Sequence, residues 1–275
     1  MMEVTFSGLS FRLHRAHFHK LQSLFQRHAA DDNPFEESLF CLLCRYDTLQ
    51  GAGLQAALPG AVMDVLLRRF ECCTECFASP LNCRYDSFGS VFFDVDAAFG
   101  SLGSFFDLDF LTIGGCYQAN PPFCESVIHQ MGRKIQVSLT CNQDQPLMFV
   151  VFVPAWKESA AYQQLLTLST LTRHLMLDQG KHYYAEGTQY RRKSSFRLAS
   201  FDTSVLFYQN ELAKNKWQIQ EDDSLSREIV EAFSKSPEGI KKEASNECAT
   251  EPNKVDANKR SKGKKKKKRK RSAKL

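Results

Sequence analysis

Along the first seventy residues the apolar positions recur at helical spacing. Phe18, Leu21, Leu24 and Phe25 fall three or four apart, which predicts an amphipathic helix over roughly 11–28 with Arg12, Arg15, Lys20 and Arg27 on its polar face. A second helix is expected after Asn33-Pro34, through Leu39, Phe40, Leu42 and Leu43, because proline suits a first helical turn. A third is expected near 61–70. Beyond Cys72 the pattern turns to short apolar runs. Glu75–Ala78, Gly114–Ala119, Leu147–Val153 and Ser204–Tyr208 read as strands, while 123–137 and 159–177 read as helices. Strands alternating with helices predict an α/β fold with an open sheet and parallel pairs. After Trp217 the apolar content falls. One short helix over 222–233 is expected, and 234–275 holds too few apolar residues to offset the entropy of ordering.

Composition adds little to this picture, and charge adds more. With 43% apolar and 24% charged residues, fibrous and wholly disordered readings are excluded, and 22 Phe can bury a large core. No internal repeat at a period of 20–50 residues is evident. The formal charge is +5, but Lys259–Leu275 hold 12 of the 36 basic residues and no acid, which leaves 24 basic against 31 acidic residues, a net of −7, in the rest. An acidic body with a basic tail fits a nucleic-acid partner, provided that the body grips through local basic patches. Ten Cys in a chain of this size, with Arg12, His14, Arg15, His17 and Lys20 interrupting the N-terminal apolar pattern, predict reduced thiols in a soluble intracellular protein. The longest apolar stretch, Leu147–Trp156, is too short to span a bilayer, so no membrane association is expected.

The candidate chemistry sits in Gly114–Phe123, a strand running into an Asn120-Pro121-Pro122-Phe123 turn. Open α/β sheets bind ligands at the carboxyl ends of their strands, where this turn should lie. Two prolines remove backbone donors and leave carbonyls. Such a site suits an amino group. The Asn120 side-chain oxygen and the Pro121 carbonyl can each accept a hydrogen from adenine N6, whose lone pair is delocalised and poorly nucleophilic. Phe123 is expected to stack on the base, a contact worth about 1–3 kcal/mol. An ordinary turn opening a helix is the competing reading of the same four residues.

Around this motif the sequence resembles a known family. Glu75-Cys76-Phe77-Ala78-Ser79-Pro80-Leu81-Asn82-Cys83, then Phe99-Gly100-Ser101, then Ala119–Glu125 are similar to the core of the phosphorylated-CTD-interacting factor family. Gly53–Pro59, Val151–Trp156 and Val205–Asn210 fit in the same order. The resemblance implies a Rossmann-like S-adenosylmethionine-dependent methyltransferase sheet behind an N-terminal helical segment. It divides the chain into 1–45 helical, 46–218 methyltransferase core, and 219–275 short helix and Lys/Arg-rich tail. The implied activity is cap-specific: a methyl group passes from S-adenosylmethionine to N6 of a cap-adjacent 2′-O-methyladenosine at a capped mRNA 5′ end. Asn120, Pro121, Pro122 and Phe123 then match the catalytic motif. Glu75, Phe77, Ala78, Ser79, Pro80 and Asn82 match the donor-cradling strand and loop, with Gln55 closing the pocket. Asp94 or Asp96 is expected to hold the donor ribose. The phosphorylated C-terminal domain of RNA polymerase II is an implied partner, read in the family by a WW module. Here Trp156 and Trp217 stand too far apart for a WW pair, so the chain is expected to match the catalytic core without that module.

Several clusters have simpler readings. Cys41 with Cys44 and Cys73 with Cys76 have zinc-like spacing but lie in an apolar helix and beside a strand, so core packing is expected and no metal. His14, His17 and His19 read as a solvated basic helix face. Arg191, Arg192, Lys193 and Arg197 form the densest basic cluster of the body and are candidates for substrate RNA phosphates. The Lys259–Lys274 run reads as a nuclear address, compatible with a nonspecific nucleic-acid tether. Two rivals use the same features: an amino-methyltransferase acting on DNA adenine or a protein glutamine, and a catalytically silent RNA- or polymerase-associated binding protein.

Overall fold

The computed structural model describes residues 1–30, 34–49, 55–110, 112–187, 190–191, 196–219 and 223–234. The chain opens with a hairpin of β1 (Met2–Phe6) and β2 (Leu9–Leu13), turned by Ser7 and Gly8 at φ 48° and 82°. Two positive φ values give a tight turn whose twist matches antiparallel strands. The first helix, α1 (Arg15–His28), therefore starts later than apolar spacing predicts, because Phe11 and Leu13 belong to β2. The next two helices, α2 (Phe35–Asp47) and α3 (Gly60–Phe70), follow where that spacing puts them.

Next come β3 (Thr74–Ala78), β4 (Ser87–Ser90) and a single helical turn, α4 (Phe93–Asp96), continued by a tighter turn over Ala97–Phe99. Then follow β5 (Gly115–Ala119), α5 (Glu125–Cys141) and β6 (Leu147–Pro154). The segment expected as one helix over 159–177 divides into α6 (Ala160–Thr167) and β7 (Leu171–Leu177). A small pair, β8 (Tyr183–Ala185) and β9 (Phe196–Leu198), precedes β10 (Thr203–Gln209), α7 (Glu211–Lys216) and α8 (Ser224–Ser234).

Six strands form one sheet in the order β4-β3-β5-β6-β10-β7. The first four are mutually parallel, and β10 runs antiparallel to both β6 and β7. The result is a mixed, Rossmann-like α/β sheet. All eight residues of β6 are buried, so this strand is covered on both faces. Met148, Val150 and Phe152 pack with α3 and α8, whereas Leu147, Phe149, Val151 and Val153 pack with α5 and α6. A third cluster joins Leu21 and Leu24 of α1 and Leu39, Leu42 and Leu43 of α2 to Phe88 of β4 and Phe99. Thus the N-terminal helices dock beside the start of the parallel sheet. No described helix is long and apolar enough to cross a membrane. The Lys259–Lys274 run lies outside the described residues, as do Gly53, Leu54, Arg192 and Lys193.

Candidate active site

From β3 the chain passes to β4 on one side, and the following sheet strand, β5, lies on the other side of β3. A reversal of this kind opens a crevice at the carboxyl ends of the two strands. A cavity of about 220 Å³ sits there. The β3 end and its loop contribute Phe77, Ala78, Ser79 and Asn82, the β5 end contributes Asn120, Pro121 and Pro122, and Gln55 and Ala56 close one side. Its lining is mostly apolar with a few convergent polar groups, as in small-molecule sites generally.

Asn120 is held by one hydrogen bond. Its Nδ2 donates to the Ala56 carbonyl at 2.7 Å, which leaves the oxygen as the free end of the amide. That Oδ1 is buried and has no partner among the described residues. A buried acceptor left unmade costs about 1–3 kcal/mol, and a donor N–H entering the cavity would satisfy it. The Ala56 carbonyl is itself fixed, because Ala57 and Ala185 exchange backbone hydrogen bonds of 3.0 and 2.8 Å. Gln55 Nε2 donates to the Tyr46 carbonyl at 3.0 Å, and Asn82 Nδ2 donates to the Gln55 carbonyl at 3.3 Å. Asn82 also closes its own loop, accepting at Oδ1 from the Ser79 amide and hydroxyl at 2.8 and 3.0 Å. Two prolines after Asn120 supply no amide donors, so the wall there is acceptor-rich.

Other expected site residues lie elsewhere. Phe123 does not line the cavity; it is half-buried and meets Phe201, Tyr184 and Trp156 edge-on at 5.3, 5.8 and 6.5 Å. Glu75 is buried behind the site, where its Oε1 accepts from the Arg84 and Tyr85 amides at 2.7 and 2.9 Å. Burial pushes its carboxyl up to about 7 against the lowering pull of those amides. Pro80 is buried in the same loop, away from the lining. Neither acid expected at the donor ribose reaches the cavity. Asp94 is exposed and pairs with Arg45 at 2.6 Å. Asp96 is fully buried, accepts from the Tyr46 hydroxyl at 2.6 Å, and is raised to about 6 by burial. Arg191 pairs with Asp47 and lies over the rings of Tyr190 and Phe11 at 5.0 and 5.8 Å, outside the cavity, while Arg197 stands on β9.

Sequence spacing did not single out the far wall. Phe105 and Phe106 line it, with Phe105 against Phe77 at a ring separation of 4.8 Å. Lys134 braces that wall by donating to the Phe106 and Leu108 carbonyls at 2.7 and 2.6 Å. The available signal was an aromatic pair after Gly103-Ser104, where Gly103 at a φ of 96° marks a turn. Core packing, expected for both Cys pairs, holds for Cys76 in β3 but not for Cys41 and Cys73, which are exposed on the outer face of α2 and before β3, and Cys44 is half-buried.

The model of the family described as "Phosphorylated CTD interacting factor 1 WW domain" matches residues 20–187. This chain belongs to that family. Every residue lining the cavity lies within the matched span. Two curated relatives, from Homo sapiens and Mus musculus, are each 36% identical over 227 residues and bear the name mRNA (2′-O-methyladenosine-N(6)-)-methyltransferase. The alignments cover 78% of this chain and 32% of theirs, so the chain spans about a third of the length of the curated relatives it matches. Kinship with the phosphorylated CTD interacting factor 1 family thus rests on the part of the chain that builds the parallel strands and their crevice.

Proposed function

We propose that this chain is an mRNA (2′-O-methyladenosine-N6-)-methyltransferase, moving a methyl group from S-adenosylmethionine to N6 of the cap-adjacent adenosine. One observation carries the reading. Asn120, which lines a cavity shared with the Phe77–Asn82 segment, is clamped through Nδ2 and keeps a buried Oδ1 with no partner among the described residues. An exocyclic NH2 is the complementary group. Accepting its hydrogens at Asn120 Oδ1 and the Pro121 carbonyl orients the amine and favours a more tetrahedral nitrogen. No strong base is needed, since the proton can leave after transfer and positioning with electrostatics lowers the barrier.

S-adenosylmethionine supplies an electrophilic methyl group on sulfonium when bound. The cavity suits it: Phe77, Ala78, Ser79 and Asn82 would hold the donor at the end of β3, within a mostly apolar wall. Phe123 and the partly exposed Trp156 offer aromatic surface beside the site for the acceptor base. An adenine at a 5′ end is not locked in a duplex, so no base-flipping cost arises. The names of the relatives support the same acceptor. As further parts of this reading, the Lys259–Lys274 run serves as a nuclear address, and the phosphorylated C-terminal domain of RNA polymerase II is a partner, as the family description implies. The test is transfer from isotopically labelled donor to capped and uncapped RNA, followed by nucleoside analysis. N6-methylation of the first nucleotide of capped RNA is expected. No transfer, or transfer to duplex DNA or a glutamine peptide in its place, overturns the reading.

A further inference from the structure

A second cavity, of about 410 Å³, lies across one wall from the first. Asn82 lines both, and where Ala56 lines the first, the adjoining Ala57 and its hydrogen-bonded partner Ala185 line the second. Helix α1 sends Lys20 and Arg27 into it, and the loop before β4 sends Arg84. Leu24, Leu58 and Leu81 provide apolar floor. Arg27 is paired with Asp86, and Arg84 with Asp64. Lys20 is different. Its ammonium donates to the Cys83 carbonyl at 2.6 Å, a neutral partner, and the ion pairs among the described residues do not include it. Three cationic side chains therefore meet two carboxylates, Asp86 in the lining and Asp64 behind Arg84, which leaves the Lys20 charge uncompensated on a body whose overall balance is acidic.

Cations over an apolar floor are complementary to a nucleotide, with its phosphate on the ammonium and guanidinium groups and its ribose and base on the leucines. We propose that this cavity holds a phosphate of the acceptor RNA, belonging to a nucleotide that adjoins the one presented to Asn120. The inference rests on the reading of the site as an RNA methyltransferase. The shared Asn82 favours RNA over a phosphopeptide: a strand whose reacting base occupies the first cavity has only that wall to cross. Contacts to phosphate set register without reading sequence, which is the role required of a positioning subsite.

The experiment measures binding of a fluorescent single-stranded capped RNA by anisotropy over a salt series, with full-length wild type, Lys20→Gln, Lys20→Arg and Arg27→Gln. Each phosphate contact contributes about 0.7 to the slope of log affinity against log salt for single strands. Lys20→Gln should lose about that much slope and Lys20→Arg should keep it, with thermal melting confirming a folded protein. If Lys20→Gln fails to fold, Arg27→Gln provides the same readout. An unchanged slope in the folded neutral variants overturns the proposal, as does a phosphoserine peptide that takes the cavity in place of RNA. Methyl transfer by wild type is scored separately. Wild type that methylates the RNA while the slopes stay unchanged sinks this inference alone; wild type whose RNA binding depends on Lys20 but which never methylates sinks the enzymatic reading alone.

Discussion

At Asn120 one amide makes a fixed bond with its nitrogen and leaves its oxygen unpaired. Removing the side chain deletes both the hydrogen bond to Ala56 and the orphaned acceptor. These stability effects oppose each other, each on the order of 1–3 kcal/mol or less. Asn120→Ala should therefore melt close to wild type while turnover falls about 10²-fold or more, as for loss of one preorganised polar group. Parallel melting and turnover measurements check this, and near-normal turnover removes Asn120 from the chemistry. Glu75 is a different kind of residue, since its two acceptor bonds pin the Arg84–Tyr85 turn. Its carboxyl rises from an ordinary 4.5 to about 7 on burial, so the folded state binds this proton more tightly than the unfolded state. Stability should then fall as pH rises from about 4.5 to 7, and the full contribution of the protonated form is present below that window. Glu75→Gln keeps an acceptor for both amides and cannot ionise. Its melting temperature should vary less with pH across this window than that of wild type, the remaining slope being the balance of Asp96, raised in the same direction to about 6, and of the partly buried histidines, His17 foremost at about 4, which act in the opposite direction. An unaltered profile would mean that Glu75 is not the titrating group.

Among the elements, the short segment Gln55–Ala57 carries more of the site than its length indicates. It supplies the carbonyl that holds Asn120, pairs with Ala185 at the end of β8, and is tied to Asn82. Gly187 lies directly against it: a Cβ there would collide with Gln55 Cβ and stand 3.0 Å from the Gln55 carbonyl carbon and oxygen. Backbone cannot step aside as a side-chain tip can. Gly187→Ala is expected to cost about 1–3 kcal/mol of stability, in the range for overpacking. It should lower turnover as well, because the displaced segment carries the Asn120 clamp. Loss of stability with full turnover would show that the clamp tolerates the shift. The apolar pattern located α2, α3, β3, β5, β6 and β10 because each is covered on at least one face by its own period. It misplaced the start of α1, where the Ser7-Gly8 turn makes Phe11 and Leu13 strand residues. It also ran α6 into β7, since Leu168-Ser169-Thr170 contains no Gly or Pro to mark the break. At the site, Asn120 and the Phe77–Asn82 loop were readable because runs of residues close in sequence line the cavity. Phe105 and Phe106 were not, because only the tertiary fold brings that loop over Phe77.

At the level of the whole molecule, charge is divided between a net acidic body and the Lys259–Leu275 run, which holds a third of the basic residues. Every residue lining the candidate cavity lies between 49 and 127, far along the chain from that run. The two parts can therefore be separated by truncation. Removing Lys259–Leu275 takes away 12 positive charges and changes the formal balance from +5 to −7. Such a protein should lose nuclear accumulation, if the run is read as an address. It should also lose sequence-independent affinity for nucleic acid, with a shallower salt dependence, because fewer counterions are released on binding. Donor affinity should stay as it is, because none of the removed residues lines the cavity. Fluorescence microscopy of tagged full-length and truncated chains, together with donor titration of both, reads the two consequences independently. An unchanged cellular distribution would reject the address, and weakened donor binding would show that the basic run acts on the site as well as on the location of the protein.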